Sequence, residues 1–388
     1  MRLLKRLFLF AALAAVLPLG ALECDVLVTL VPRLGDRCGG VPAGFAAPLP
    51  AVSHVSRHQP FFIQVFFRDP VLNEGKMHLA MRVIVRDPAG QISFDSRDSV
   101  AVLHVPGPRP GREVLHPAAC RIAFGKEKPA GKYLVSVEVT DLNAKRAARG
   151  GAEIELADRV PDGRAFSSMR EFDKFILEYY LAPDPERILP AFRFLAGQLP
   201  EMRRQKHFTS VPLMAWFYYA LKFNPQLWKD FAGELSALDP TDRPHAAAVL
   251  AALTGKGTRE PAKLRSLYEP PEKLTAPWQL DVLWSAFFAT GDRRPVERIC
   301  REVARLPRGM TPQKFKELAA PTPEDKAKLL DHTMGRGALW SLGANARNHP
   351  LVAAYIRSLL ERKQISDLFT AQAMLRILQD RAGQPVKP

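Results

Sequence analysis

The spacing of apolar residues changes once along the chain, and this change constrains the fold more than any other feature. Between about residues 60 and 156, apolar and polar residues alternate. The clearest alternating set is Tyr133, Val135, Val137 and Val139. Period-two alternation rich in β-branched and aromatic residues predicts half-buried strands, whereas the period of 3.6 that begins near residue 167 predicts helices. We therefore expect a multidomain α and β protein, with a β domain followed by a helical domain.

Turn sequences separate the predicted strands. Asp87-Pro-Ala-Gly90 and Lys128-Pro-Ala-Gly131 each combine a proline, which fixes φ, with a glycine that can take positive φ. About seven strands follow one another over roughly a hundred residues with no helical pattern between them, which is typical of an antiparallel β-sandwich. We expect this sandwich over residues 22–158.

The same segment resembles a known class of domain. Arg86-Asp-Pro-Ala-Gly90 follows a strand, and Pro129-Ala-Gly-Lys-Tyr133 opens a strand that closes at Asp141. In these features residues 22–158 resemble the immunoglobulin-like domains of bacterial extracytoplasmic proteins. The resemblance implies an antiparallel sandwich, and it carries no functional residues. The whole chain is similar to uncharacterised exported bacterial proteins that pair such a domain with a helical one.

A helical domain is predicted over residues 167–388, after a polar linker at 159–166. Ser168 and Glu171 form a capping-box pattern at its start. Later helices are expected to begin where a capping residue precedes proline, a residue tolerated in the first helical turn. We expect about ten helices, stacked as a solenoid or as an irregular bundle, because no constant repeat is present.

Glycines mark further expected helix boundaries. Gly255 and Gly291 each follow an apolar helical run, so both are predicted to be C-terminal caps. Gly335 and Gly337 come shortly after His332. This pair is expected to mark a helix end or a kink.

Residues 1–21 have the three parts of a secretory signal. A basic start precedes about a dozen apolar residues, fewer than the roughly 20 needed to cross a bilayer, and small residues supply a cleavage site. We expect a mature chain that starts near Leu22, has no transmembrane segment, and is secreted or periplasmic. The alternative is a signal retained as an anchor. Lipidation of Cys24 is disfavoured because Glu23 stands where a small residue is required.

The charge of the chain bears on its partners. The formal net charge is +15, yet the basic residues are scattered and no run of five or more occurs. Export and this scattering disfavour nucleic acid as a partner. A basic exported protein favours encounters with anionic lipid head groups and polymers. We therefore expect an envelope protein or an anionic envelope polymer as the partner.

Motifs for catalysis are not found. The sequence contains no H-E-x-x-H, G-x-S-x-G or phosphate-binding G-K-[ST] pattern, and Ser341 lacks the first glycine of a nucleophile elbow. His54 and His58 are four residues apart, which in an extended segment corresponds to roughly 13 Å, too far for one metal ion. We predict no catalytic, cofactor-binding or metal-ligating residues.

The cysteines suggest a structural role. In an oxidising compartment Cys24 and Cys38 could close a loop of about fifteen residues, which would contribute roughly 3 kcal/mol. Cys120 and Cys300 lie among apolar residues and are expected to be buried thiols. Four cysteines permit three full pairings, and the sequence does not choose among them.

One predicted strand is apolar on both faces. Phe61, Ile63, Val65 and Phe67 form its core face, while Phe62 and Phe66 lie on the other. An outward pair of phenylalanines must be covered by the helical domain, by a loop or by a partner. We expect Phe62 and Phe66 to form an interdomain or partner contact.

Two functional hypotheses follow. The first is a non-enzymatic binding or scaffold protein of the cell envelope. The alternative is a carbohydrate-active envelope enzyme with paired carboxylates in a groove of the helical domain. Glu171, Asp173 and Glu178 could supply carboxylates, but their spacing places them on the polar side of a helix.

Overall fold

The computed structural model describes residues 22–30, 51–97, 101–106, 114–115, 119–157, 164–204, 209–256 and 261–382. Residues up to 157 form a β half and residues from 164 form an α half, and each half has its own apolar core. The predicted signal, Cys38 and most of the predicted linker lie outside the described residues.

The β half contains ten described strands in two sheets. They are β1 (Glu23–Thr29), β2 (His54–Ser56), β3 (Phe61–Arg68), β4 (Lys76–Arg86), β5 (Ile92–Asp95), β6 (Ala101–Pro106), β7 (Val114–Leu115), β8 (Cys120–Ile122), β9 (Gly131–Asp141) and β10 (Arg146–Ala157). One sheet has the order β1-β3-β7, with β8 also paired to β3. The other has the order β2-β10-β9-β4-β5, with β6 also paired to β4. The described pairs are antiparallel except β2 with β10, which run parallel.

The two sheets share one core. Alternate residues of β3 from one sheet, and of β4 and β9 from the other, are buried in a single apolar cluster. The alternating burial of β4 and β9 confirms the period-two strands predicted there. Gly150 of β10 lies under β1, where a Cβ would stand 2.7 Å from the carbonyl oxygen of Cys24, so the packing of β1 requires glycine at this position.

The α half contains twelve described α-helices joined by short 3-10 segments. The helices are α1 (Met169–Glu178), α2 (Ile188–Met202), α3 (Val211–Lys222), α4 (Trp228–Glu234), α5 (Arg243–Thr254), α6 (Pro261–Tyr268), α7 (Trp278–Thr290), α8 (Arg293–Glu302), α9 (Pro312–Lys316), α10 (Pro323–Asn348), α11 (Pro350–Glu361) and α12 (Leu368–Ala382). The 3-10 segments are Pro185–Arg187, Pro225–Leu227, Leu235–Ala237 and Val303–Arg308. Helix α7 is buried on almost every side from Gln279 to Ala289, so it forms part of the centre of this half.

The helix caps agree with the sequence in most cases. Gly255 and Gly291 end their helices in the left-handed conformation, with φ of 70° and 64°. Ser168 accepts a hydrogen bond from the backbone of Glu171, as predicted, over 3.2 Å. The carboxylate of Glu171, however, binds the backbone N–H and hydroxyl of Ser167 instead of completing the box at Ser168.

A helix end or a kink was expected at Gly335 and Gly337; the helix end is wrong, and the kink stays a prediction. Helix α10 runs through both glycines for 26 residues. Gly335 serves a close packing contact, because a Cβ there would lie 2.7 Å from the backbone nitrogen of Leu306. In the part of the chain that the structure describes, no helix is long and apolar enough to cross a bilayer.

Candidate functional site

Phe62 and Phe66 are both buried on the second face of β3, with 8% and 7% of their surface exposed. Phe66 packs against Leu27 of β1 and Leu115 of β7, which belong to the same sheet. Part of the cover over Phe66 therefore comes from the β half itself. Contact of Phe62 and Phe66 with the helical half or with a partner stays a prediction.

Cys24, Cys120 and Cys300 form no disulfide with one another. Burial, and then the neighbouring Asp25 carboxylate, raise the pKa of Cys24 to about 11. Burial raises the pKa of Cys120 to about 11 and that of Cys300 to about 12. All three thiols are therefore protonated at neutral pH and are poor nucleophiles. Because Cys38 lies outside the described residues, its pairing with Cys24 stays a prediction.

A buried polar contact joins the two halves. Nε2 of Gln59 donates to Oδ1 of Asn224 over 3.2 Å. The side-chain oxygen of Gln59, Oε1, accepts a hydrogen bond from the backbone N–H of Ser56 over 2.9 Å. Nδ2 of Asn224 in turn donates to the carbonyl of Ala220, at the end of α3, over 2.8 Å. We call this contact the Gln59–Asn224 seam.

A small cleft of about 210 Å³ lies beside this seam. His54 from β2 and Glu186 from the α half meet across it, with Nε2 to Oε1 at 2.6 Å. Burial, and then the Glu186 carboxylate, raise the pKa of neighbouring Asp184. Asp184 also accepts from the backbone N–H of Glu186 over 3.1 Å, which begins the 3-10 segment Pro185–Arg187. These polar groups are engaged with one another, and the His54–Glu186 pair adds a second polar contact between the halves.

A larger cavity of about 410 Å³ lies within the α half, and we call it the α8–α12 cavity. It is formed by α8, the end of α11, the loop after it and the first turn of α12. Its wall is made of charged, polar and apolar side chains: Arg293, Glu297, Cys300, Arg301, Ala304, Leu359, Gln364, Ile365, Ser366, Asp367 and Thr370. This volume lies within the roughly 300–1,000 Å³ of small-molecule sites.

The amphipathic pattern of α8 explains how the cavity wall forms. Val296 and Ile299 are buried in the core of the α half, whereas Arg293, Glu297 and Arg301 recur every four residues and share one side of the helix. That side faces the cavity. The local sequence therefore turns three charged groups toward one space.

The charged groups of the wall are largely paired with each other or with near neighbours. Arg293 forms an ion pair with Glu297, and Arg301 Nη1 lies 2.8 Å from Oε1 of Glu272. Asp367 accepts hydrogen bonds from the backbone N–H and the hydroxyl of Thr370, over 2.7 and 2.5 Å, which caps α12.

One carboxylate on the wall has room for a further hydrogen bond. Oε1 of Glu297 is buried and forms an ion pair with Nε of Arg293, and the described residues offer it no hydrogen bond beyond this contact. A carboxylate can accept several hydrogen bonds at once. The cavity therefore offers a hydrogen-bonding position beside an apolar wall of Leu359 and Ile365.

Sequence reasoning did not predict this cavity. Its residues come from positions 293–304, 359 and 364–370, and of these only Cys300 carried a prediction. The regular spacing of Arg293, Glu297 and Arg301 was the available signal, but the same spacing is typical of a solvated helix face.

The carboxylates considered for an enzyme lie elsewhere, on α1. Hydrogen bonds from Ser167, and then from Arg187, lower the pKa of Glu171 to about 2. Glu171 is therefore ionised at neutral pH and unsuited to act as a general acid. Asp173 and Glu178 are exposed on the same helix. Within the described ranges, no group of three His, Cys, Asp or Glu residues is arranged to hold a metal ion.

Comparisons with known proteins add little. No family model and no curated protein matches the chain. One solved structure to which it is similar is described as a family 123 glycoside hydrolase from Clostridium perfringens, studied for glycolipid glycan hydrolysis. The two are 12% identical, with a TM-score of 0.21, and the match covers 47% of this chain and 36% of that one. The chain thus spans about a third of that protein, and a match at this TM-score supports no inference about fold or function.

Proposed function

We propose that the chain is an exported, non-enzymatic binding protein of the cell envelope that holds a saccharide unit in the α8–α12 cavity. Export is supported by the basic, apolar and small-residue parts of residues 1–21. Sequencing the N-terminus of the protein from envelope fractions should recover a chain that starts near Leu22. Recovery of intact Met1 would contradict cleavage.

We further propose that residues 22–158 form an immunoglobulin-like sandwich and residues 167–388 a helical domain. The shared core of the two sheets supports this proposal. So does the hydroxyl of Tyr133, which donates to the carbonyl of Pro129, four residues upstream, over 2.8 Å. A tyrosine bonded back to the chain in this way is typical of immunoglobulin-like folds. In this proposal the sandwich is a platform that positions the helical domain.

The observation that carries the binding function is a cavity of ligand size whose wall combines the ion-paired carboxylate of Glu297 with apolar side chains. Because Arg293 and Arg301 are each paired with a carboxylate, the wall leaves no uncompensated arginine to select a small anion. A neutral ligand with many hydroxyls fits better, since each hydroxyl both donates and accepts. Such a ligand could donate to Glu297 and accept from the arginines, while its carbon skeleton contacts Leu359 and Ile365.

Thermal unfolding with three probes tests this proposal. N-acetyl-D-glucosamine and D-glucose present hydroxyls, whereas sodium sulfate presents only an anion. A ligand that binds the folded state alone raises the free energy of unfolding by RT ln(1 + [L]/Kd), so the melting temperature rises with the logarithm of ligand concentration above Kd. We expect at least one sugar to raise the melting temperature in this way, and sulfate at the same low concentration, with the ionic strength held constant by sodium chloride, to leave it unchanged. Stabilisation by sulfate alone would contradict a saccharide site.

A second candidate function is supported by the same cavity. Glu297 and Asp367 both line it, and glycoside hydrolysis requires a pair of carboxylates in one site. Turnover of p-nitrophenyl glycosides would support this enzyme, provided that Glu297→Gln abolishes it. Sugar binding without any turnover supports the binding protein instead.

A further inference from the structure

The side chain of one tryptophan on the surface of α10 is mostly exposed to solvent. Trp340 is 73% exposed, the largest exposed fraction among the described large apolar side chains. Its helical neighbours Gly337, Gly343 and Ala344 are small, so the indole projects above the helix surface. Exposing most of an indole to water is unfavourable. A large exposed apolar side chain therefore marks an interaction site more often than an isolated small one does.

Two arginines share the side of α10 that carries Trp340. Arg336 lies one turn before it and Arg347 two turns after it, and both are exposed. At 100° per residue the three side chains fall within about 40° of one another around the helix, and they span roughly 16 Å along it. We call these three residues the Trp340 face.

Carboxylates are missing from this stretch of the helix. Residues 332–348 contain no Asp or Glu. The nearest acidic residue before them, Asp331, lies on the opposite side of α10 and pairs with Arg305 over 2.6 Å. The Trp340 face therefore combines two exposed arginines, which have no acidic neighbour along this stretch of the helix, with one exposed aromatic ring.

We propose that the Trp340 face docks the protein onto an anionic phospholipid surface. Indole rings prefer the interface between lipid head groups and acyl chains, and arginines bind lipid phosphates. A lipid surface can accept a projecting indole without a preformed pocket in a partner. The complementary charge comes from the head groups, which Arg336 and Arg347 meet on either side of the ring.

Co-sedimentation with vesicles tests this proposal, using the full mature chain at low ionic strength. One vesicle contains equal parts of phosphatidylglycerol and phosphatidylcholine, and the other contains phosphatidylcholine alone. We expect the protein to bind the anionic vesicle and to be released by salt. Trp340→Ala should weaken binding about tenfold, since an apolar side chain of this size is lost. Arg336→Gln should weaken it about fivefold, and Trp340→Phe should retain most of it.

Matched controls come from other exposed positions. Leu134→Ala removes an exposed apolar side chain of the β half, and Arg170→Gln removes an exposed arginine of α1. Both should bind within about twofold of the unchanged protein, since each lies outside the Trp340 face. Trp340→Ala should keep the melting temperature, because the side chain is exposed.

Three results would overturn the proposal. The first is equal binding to both vesicles. The second is a loss in either control as large as the loss in Trp340→Ala. The third is binding to soluble heparin that depends on Trp340 in the absence of vesicle binding, which would assign the face to an anionic polymer.

Discussion

Gln59 and Asn224 are 165 positions apart in the sequence, and their side chains form a buried hydrogen bond that joins the β half to the α half. Both residues are almost fully buried, at 2% and 3% exposed. Each amide also bonds backbone on its own side, through Ser56 and Ala220. Breaking the Gln59–Asn224 seam would therefore leave a buried amide in each half without its hydrogen-bond partner, which is energetically unfavourable.

Gln59→Leu should loosen the two halves. The change leaves the N–H of Ser56 without its acceptor and removes one donor from Asn224, which costs about 1–3 kcal/mol. Gln226→Leu is the matched control, because Gln226 also donates to Asn224 but from within the α half. Limited proteolysis between the halves should accelerate only in Gln59→Leu. Equal acceleration in both variants would show that the seam does not couple the halves.

His349 should make the α half sensitive to acid. Its Nδ1 lies 3.2 Å from the hydroxyl of Tyr180, and burial lowers the pKa of His349 from 6.5 to about 4. The unfolded chain therefore binds a proton at a higher pH than the folded chain does. Above about pH 6.5 His349 therefore does not reduce the free energy of unfolding. Below that pH the free energy of unfolding decreases, and the loss reaches about 3 kcal/mol near pH 4.

Urea unfolding at about pH 7 and about pH 5 measures this dependence. His349→Leu should flatten it, whereas replacement of the exposed His58 by Leu should not. An unchanged pH slope in His349→Leu would assign the acid sensitivity to other groups.

Phe66→Ala should destabilise the β half. Phe66 packs against Leu27 and Leu115, and truncating a buried phenylalanine costs about 3–5 kcal/mol. Hydrogen exchange resolved along the chain should show faster exchange in the β half and little change in the core of the α half. Leu134→Ala, at an exposed position, is the control. Faster exchange mainly in the α half would instead indicate that Phe66 supports the interdomain contact.

Gly335 and Gly343 of α10 should respond in opposite ways to alanine. A Cβ at Gly335 would stand 2.7 Å from the backbone of Leu306, so Gly335→Ala should destabilise by about 1–3 kcal/mol. A Cβ at Gly343 would only touch Ile377 at 4.0 Å, so Gly343→Ala should stabilise by up to about 1 kcal/mol through helix propensity. Chemical denaturation of both variants tests this. A neutral Gly335→Ala would contradict the close packing of α10.

The sequence predicted what depends on local pattern. The alternation from Tyr133 to Val139 identified β9, and the glycines after α5 and α7 were identified as caps because a left-handed residue ends a helix there. Gly335 was misread because the same residue type also permits close helix packing, and only the tertiary position of Leu306 separates the two roles. Strands β1, β2 and β7 were missed. Strands β2 and β7 have only three and two residues, and β1 lies before the segment from about residue 60 over which the alternation was recognised.

The candidate sites depend on tertiary structure to a greater extent. The α8–α12 cavity brings α8 together with residues 359–370, and no local pattern relates these segments. The seam is similar, since Gln59 precedes a strand and Asn224 lies between α3 and a 3-10 segment. The position of Phe62 and Phe66 on β3 predicts that both are covered. It does not predict which groups cover them.

The α8–α12 cavity can be closed with one substitution. Ala304 lines the cavity, so Ala304→Phe should fill part of it, and Glu297→Gln should keep its shape while removing the negative charge of the Glu297 carboxylate. Isothermal titration of N-acetyl-D-glucosamine into the unchanged protein and Ala304→Phe tests the central claim most directly. We predict saturable binding to the unchanged protein and none to Ala304→Phe at an equal melting temperature. Equal binding by both proteins would contradict a saccharide site in this cavity.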